Sequence, residues 1–264
     1  MRVSILGSGL ERFPVGQYTV DHILRSQVRA RSELHFPAIP TDDEFIWPKA
    51  KQSGSIQDET YRHIIYLLSC GYFRPGEKVS LRQLSSGLNV SETPVRNALN
   101  RLIAESALDV QPNRHVCIPA LTMQQFGELT DLRVMLEVRI AEAAAEKISD
   151  SEIDKLSDTN DELLSAISQG KTHRCIALNQ KFHLTFYETA SQPLTFNIIF
   201  GLWLRAGAFM HALLSSDDVV WRTNHHLTLI KSLKDRDIRA CKTAIEEDIT
   251  DTYFEAIKLP HMFV

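Results

Sequence analysis

The sequence predicts a mainly α chain: three short helices closed by a β-hairpin, then an all-helical antiparallel bundle of about six helices. Three observations predict it. Between Ser55 and Ile118, three apolar-striped segments divided by turn residues lead into two alternating runs. From Thr122 to Lys258 a helical period continues with short breaks. Charge divides near the same place: residues 51–120 hold 8 Lys and Arg against 6 Asp and Glu, and 121–264 hold 15 against 21. A slightly basic segment beside an acidic one fits two domains, as does a length of 264 residues.

Composition narrows the class. Hydrophobic residues make 44% and charged residues 23%, ordinary values for a globular chain. No run of about 18 consecutive uncharged apolar residues occurs, so no membrane-spanning helix is expected. Cys70, Cys117, Cys175 and Cys241 form no C-x-x-C pair and no secreted-type framework. Glu11 and Pro14 interrupt any signal-peptide pattern, and a cytoplasmic protein with reduced thiols is expected.

Residues 1–54 are broken by Gly7, Gly9, Pro14, Gly16, Pro37, Pro40, Pro48 and Gly54, and read as an irregular or partly disordered extension with one short helix over Tyr18–Glu33. Three roles stay open for it: a partner-binding tail, a minor-groove arm using Arg25, Arg29 and Arg31, or an over-extended start. A small domain follows over 55–120. Ile56, Tyr61, Ile64, Ile65 and Leu68 share one helix face. Pro75-Gly76 turns the chain. Ser80 with Gln83 makes a capping box for a helix marked by Leu84 and ended near Gly87-Leu88-Asn89. Ser91 caps the third helix, with Pro94 in its first turn and Val95, Leu99, Leu102 and Ile103 as its stripe. Leu108, Val110, Val116 and Ile118 alternate about Pro112-Asn113 as a hairpin. Together these elements describe a winged helix-turn-helix, whose third helix can enter a major groove. The domain over 121–258 then reads as helices near 122–147, 150–169, 171–190, 193–214, 217–234 and 236–258, before a tail over 259–264. Its short loops imply antiparallel neighbours.

These residues carry a family resemblance. Ser80-Leu81-Arg82-Gln83-Leu84 and Asn89 through Leu99 resemble the DNA-binding domain of GntR-type bacterial regulators, and Pro75-Gly76-Glu77-Lys78 fits the same pattern. Leu132 to Glu137, Asn179 to His183, and His226 with Leu233 and Asp237 resemble the FCD-type ligand-binding domain of the FadR-like branch. The resemblance covers about residues 55–258. It implies a homodimeric regulator of a double-stranded DNA operator, palindromic like the dimer. It also implies a small organic acid effector in the helical domain and, in many members, a divalent metal there.

The resemblance places DNA contacts at Arg82 and Arg96, and Ser91 and Thr93 can bond phosphate. Two departures stand out. Glu92 occupies a position that is commonly arginine; a carboxylate repels phosphate but can accept from cytosine N4. Asn113-Arg114-His115 replaces a wing tip often built with glycine, leaving Arg114 for a minor groove or a phosphate.

In the helical half, Asn179 and His183 are one turn apart on one face. The family's metal positions carry over onto Asn179, His183, His226 and Asp248, with an amide in the first position and a carboxylate where histidine is usual in the last. Such a mixed set suits zinc, nickel or manganese. A metal-free pocket, in which His183 and His226 donate hydrogen bonds to an acid, stays open beside it. Arg133 either clamps an effector carboxylate or pairs with Glu137 four residues on. Arg205, a charge in an apolar helix, points to an effector-pocket or interface role. Two further readings of the whole chain stay open: a metal-dependent enzyme on the bundle, and a ligand sensor that has lost specific DNA binding.

Overall fold

The computed structural model describes residues 36–41, 45–47, 54–112, 115–216 and 223–264. The expected helix over Tyr18–Glu33, the three arm arginines, Asn113, Arg114 and the first six residues of the helix expected near 217–234 lie outside the described residues.

Helix α1 (Ile56–Ser69) starts at Ser55, whose Oγ accepts from the Asp58 N–H. Its buried side chains, Tyr61, Ile64, Ile65, Leu67 and Leu68, form the centre of the small domain. Ile56 departs from the expected stripe: in the first turn it projects past the core and is 63% exposed. Helix α2 (Leu81–Leu88) is capped by Ser80, which accepts from Gln83 N, and ends at Asn89 in the left-handed conformation that asparagine tolerates. Helix α3 (Glu92–Ala104) begins after Ser91, whose side chain makes no capping bond. Strands β1 (Asp109–Val110) and β2 (Val116–Cys117) pair antiparallel, Asp109 with Cys117 and Val110 with Val116. Leu108 and Ile118 fasten this wing to the core, while Val110 faces solvent.

The stretch read as a loose extension contributes to the domain. Phe45 is completely buried, edge-on to Tyr66 and 4.6 Å from Trp47. Phe36 meets Phe73, and the Pro37 carbonyl lies 2.7 Å from His63 Nε2. Phe45 and Trp47 thus pack against α1, through Tyr66 and Arg62.

Six helices follow: α4 (Met123–Ala145), α5 (Asp150–Ser168), α6 (Thr172–Glu188), α7 (Pro193–Leu214), α8 (Asn224–Lys234) and α9 (Ile238–Ala256). Their ends have local causes. Thr122 with Gln125 and Ser149 with Glu152 are complete capping boxes, and Asp237 accepts from Ala240 N. Thr223 holds the N-cap position of α8. Helix α4 packs on α6, α7 and α9; α5 packs on α6 and α8; α8 packs on α9. Polar side chains that α4, α5, α6, α8 and α9 bury therefore face a common interior.

Helix α7 also packs on α1. A Cβ on Gly207 would stand 2.5 Å from Leu68 O and 2.7 Å from Ser69 O, so the two helices cross at backbone contact. Gly71, at φ 69°, abuts the His211 Cβ in the same crossing. Tyr72, His173 and His211 stack across the junction at 3.9 and 4.5 Å, and His173 Nδ1–H donates to Cys70 O. By length and composition α7 is apolar enough to cross a membrane, as the core helix of a bundle also can be. Arg205 breaks its run of uncharged residues, as the sequence shows, and the helix packs on α1, α4 and α6.

Candidate DNA-reading face and a buried histidine centre

On α3, Pro94, Val95, Ala98, Leu99 and Leu102 turn inward, which leaves Glu92, Thr93, Arg96, Asn97 and Asn100 exposed along the opposite face. Ser91 and Arg82 are exposed at the starts of α3 and α2. Five of the six expected DNA contacts thus lie on the surface around the two helix N-termini; Arg114 lies outside the described residues. Glu92 does not stand alone: its Oε2 is 3.5 Å from Arg96 Nη2. A carboxylate in the first turn is also favoured by the helix dipole. Asn97 and Asn100 share the exposed face, and asparagine can bond adenine bidentately. Spacing from Thr93 and Arg96 shows their position, but no charge marks them in the sequence.

Inside the bundle, His183 of α6, His226 of α8 and Asp248 of α9 converge within 4.8 Å. Their facing atoms are His183 Nε2 and His226 Nε2, 3.0 Å apart, with Asp248 Oδ2 3.3 Å from the first. His226 Nδ1–H donates to Asn160 Oδ1 at 3.1 Å, which leaves its Nε2 lone pair turned to the centre. Tyr187 gives its proton to Glu137 Oε2 at 2.9 Å, so its oxygen can accept from His183 Nδ1, 3.4 Å away. Three ligand atoms then face one point, where a proton on His183 Nε2 or a metal ion can satisfy them together. Burial, then the neighbouring His183, pushes His226 down to about 3. Burial alone would raise Asp248, but its hydrogen bond to His183 and the charges of His183, His226 and His225 hold it at about 2.

The other predicted pocket residues are distributed unevenly. Asn179 is buried one turn before His183, but among the described residues no hydrogen bond links it to the three converging side chains. The amide in contact is Asn160, unmarked in the sequence because Asp158 and Asp161 surround it. Arg133 is buried beside the centre and donates to Glu137 Oε1 at 2.7 Å, the ion pair weighed as its alternative role. Glu137 also accepts from Trp203 Nε1 at 3.1 Å, and Arg133 lies over the Trp203 ring. Arg205 does not join His183 and His226; of its two expected roles it takes the one at an interface. Its Nε donates to Ser106 O of the small domain at 2.7 Å, because α7 turns it away from the face that carries Trp203. His225 likewise points off the centre, to Asp251 and Glu247.

Comparison with known proteins gives matches in both halves. Residues 56–118 match the bacterial regulatory proteins of the gntR family, and residues 128–251 match the FCD domain. The chain is 29% identical to the HTH-type transcriptional regulator McbR of Escherichia coli K12 over 184 residues, 68% of this chain and 83% of that protein. It is 25% identical to the HTH-type transcriptional repressor RspR of the same organism over 182 residues, covering 67% and 78%. The solved structure of E. coli McbR/YncC superposes with a TM-score of 0.72 at 26% identity, over 77% of this chain and 98% of that one. The two matches fall where the fold places the exposed recognition helix and the histidine-bearing bundle, and the chain belongs to the GntR family of bacterial transcriptional regulators, with an FCD domain as its effector-binding half.

Proposed function

We propose that this regulator senses its effector at the His183–His226–Asp248 centre and reads its operator through Arg82, Ser91, Glu92, Thr93, Arg96 and Arg114. The convergence of three lone-pair donors carries the reading. Two imidazoles and a carboxylate are a borderline-to-hard donor set that fits zinc, nickel or manganese. His183, His226 and Asp248 would hold the ion, with Asn179 near enough in sequence to join them. A bound ion would supply a Lewis-acidic anchor for the carboxylate of an organic acid. Asn160 and Tyr187 orient the two rings, and Arg133 adds positive charge beside the site. The pair Arg96–Glu92 supports altered operator preference rather than loss of DNA binding, since the carboxylate already has a cationic partner.

A homodimer is the second part of the proposal. Leu132 and Met135 of α4 and Leu194 and Ile198 of α7 are exposed, Leu194 by 81%. Leu132 and Ile198 line one groove of about 770 Å³ that also holds Arg101, Glu105, Glu128 and Arg205. An apolar face edged by both charges suits a second copy across a two-fold axis, and two recognition helices would then read a palindromic operator. The protein works in the cytoplasm, without a membrane, because packing of α7 on α1, α4 and α6 accounts for its apolar character. Its action is regulatory rather than enzymatic, in keeping with the relatives.

Titration calorimetry with zinc, nickel and manganese, on the wild type and His183→Ala, tests the centre. The expected result is binding of one ion per protomer by the wild type and at least about tenfold weaker binding by the variant, since ligands and their supports are typically worth ~10–100-fold. Equal binding by both proteins, or none by the wild type, would overturn the metal site.

A further inference from the structure

Helix α7 touches both halves of the molecule within two residues. Trp203 faces the bundle interior: its Nε1–H donates to Glu137 Oε1 at 3.1 Å and its ring lies 5.5 Å from that of His183. Arg205, about 200° further around the helix, faces the DNA-binding head and donates to Ser106 O at 2.7 Å. Ser106 follows Glu105, the C-cap of the recognition helix α3, and sits at φ 58°, a left-handed conformation uncommon for serine. Glu105 itself pairs with Arg101 at 2.9 Å and accepts from the Tyr61 hydroxyl. The end of α3 is therefore fastened to α1 through Tyr61 and to the bundle through Arg205. Gly207, one turn beyond Trp203, presses against the carbonyls of Leu68 and Ser69. At that separation α7 has no room to shift without moving the head.

We propose that Arg205 is a positioning residue that carries the state of the histidine centre, through Trp203 and the rigid α7 helix, to the C-terminal end of the recognition helix. This rests on the reading above, that the centre governs operator affinity. A cation held between His183, His226 and Asp248 would change the charge that Tyr187, Glu137 and Arg133 face. Trp203 is bonded to that same carboxylate, and its rigid indole transmits the readjustment to α7. Arg205 then repositions the Ser106 carbonyl, and with it the register of α3 against the wing.

The test is a two-by-two set of full-length proteins: wild type, His183→Ala, Arg205→Ala and the double variant. The probe is a DNA fragment that the wild type selects from a random pool, followed by fluorescence anisotropy at matched salt. His183→Ala is expected to change the dissociation constant by ~5–150-fold in the wild-type background, the usual range of allosteric coupling, and by less than about 2-fold in the Arg205→Ala background. Arg205→Lys, which keeps a cationic donor, should restore part of the response. Arg205→Met, which keeps the bulk without a donor, replaces alanine if that variant does not fold. An equal change in both backgrounds would overturn the role of Arg205 alone. No change from His183→Ala in the wild-type background would overturn control by the centre and the proposal with it.

Discussion

Arg133 Nε donates to Glu137 Oε1 at 2.7 Å across one turn of α4, where Glu137 is completely shielded from solvent. The same carboxylate accepts from Trp203 and Tyr187, so one buried charge organises three side chains. Burial, then the nearby Glu137 charge, raises the Tyr187 phenol well above its ordinary value. Breaking a buried pair leaves its other charge uncompensated, so Glu137→Ala should lose about 3–5 kcal/mol of stability. Urea unfolding followed by tryptophan fluorescence measures it, and a loss within the scatter of surface substitutions would contradict this account of the interior.

The crossing of α1 and α7 gives a controlled pair of glycine substitutions. Gly207→Ala places a methyl group on the Leu68 and Ser69 carbonyls and should cost about 1–3 kcal/mol through overpacking. Gly201→Ala, on the same helix, meets nothing within 4 Å and should be neutral or gain up to about 1 kcal/mol from helix propensity. Thermal melts of the two variants should shift in opposite directions or only for Gly207→Ala.

On the recognition face, Arg96→Ala should weaken binding to all DNA and reduce the salt slope by about 1. Glu92→Arg removes the carboxylate paired with Arg96 and should tighten general DNA binding. Anisotropy titrations at several salt concentrations check both; unchanged affinity and unchanged sequence preference for Glu92→Arg would remove Glu92 from the DNA-reading face.

The head–bundle junction should respond to acid. Burial, then the charges of His173 and Arg74, lowers His211 to about 4. A lowered histidine favours the neutral form in the folded state. Its contribution is therefore complete above the ordinary value of about 6.5 and is lost as the pH falls toward 4. The melting temperature of the wild type should drop over that interval by more than that of His211→Gln. Parallel pH curves for the two proteins would show that folding does not lower the junction histidine.

Much of the fold is legible in the sequence for local reasons. Ser80, Ser149 and Asp237 mark helix starts with side chains that bond the next turn, and the apolar stripe of α3 follows from its period. The proximity of His183, His226 and Asp248 is approached from one helical turn plus family likeness. Residues whose meaning depends on tertiary neighbours are not legible. Asn160 sits among aspartates that read as a solvated face, and Phe45 sits between breakers that read as a loose arm. Ile56 fits the stripe of α1 by period, but among the described residues that end of the stripe is left exposed. Arg205 shows its importance only once Ser106 is brought to it from 99 positions away.

The most direct measurement of the account is operator binding by the full-length protein with and without zinc. Fluorescence anisotropy would compare its own upstream DNA with random DNA at matched salt, with a chelated control. The account predicts a specific preference of about 10³ or more in one of the two states, and a change of ~5–150-fold between them. No preference in either state, or one affinity that zinc leaves untouched, would contradict it.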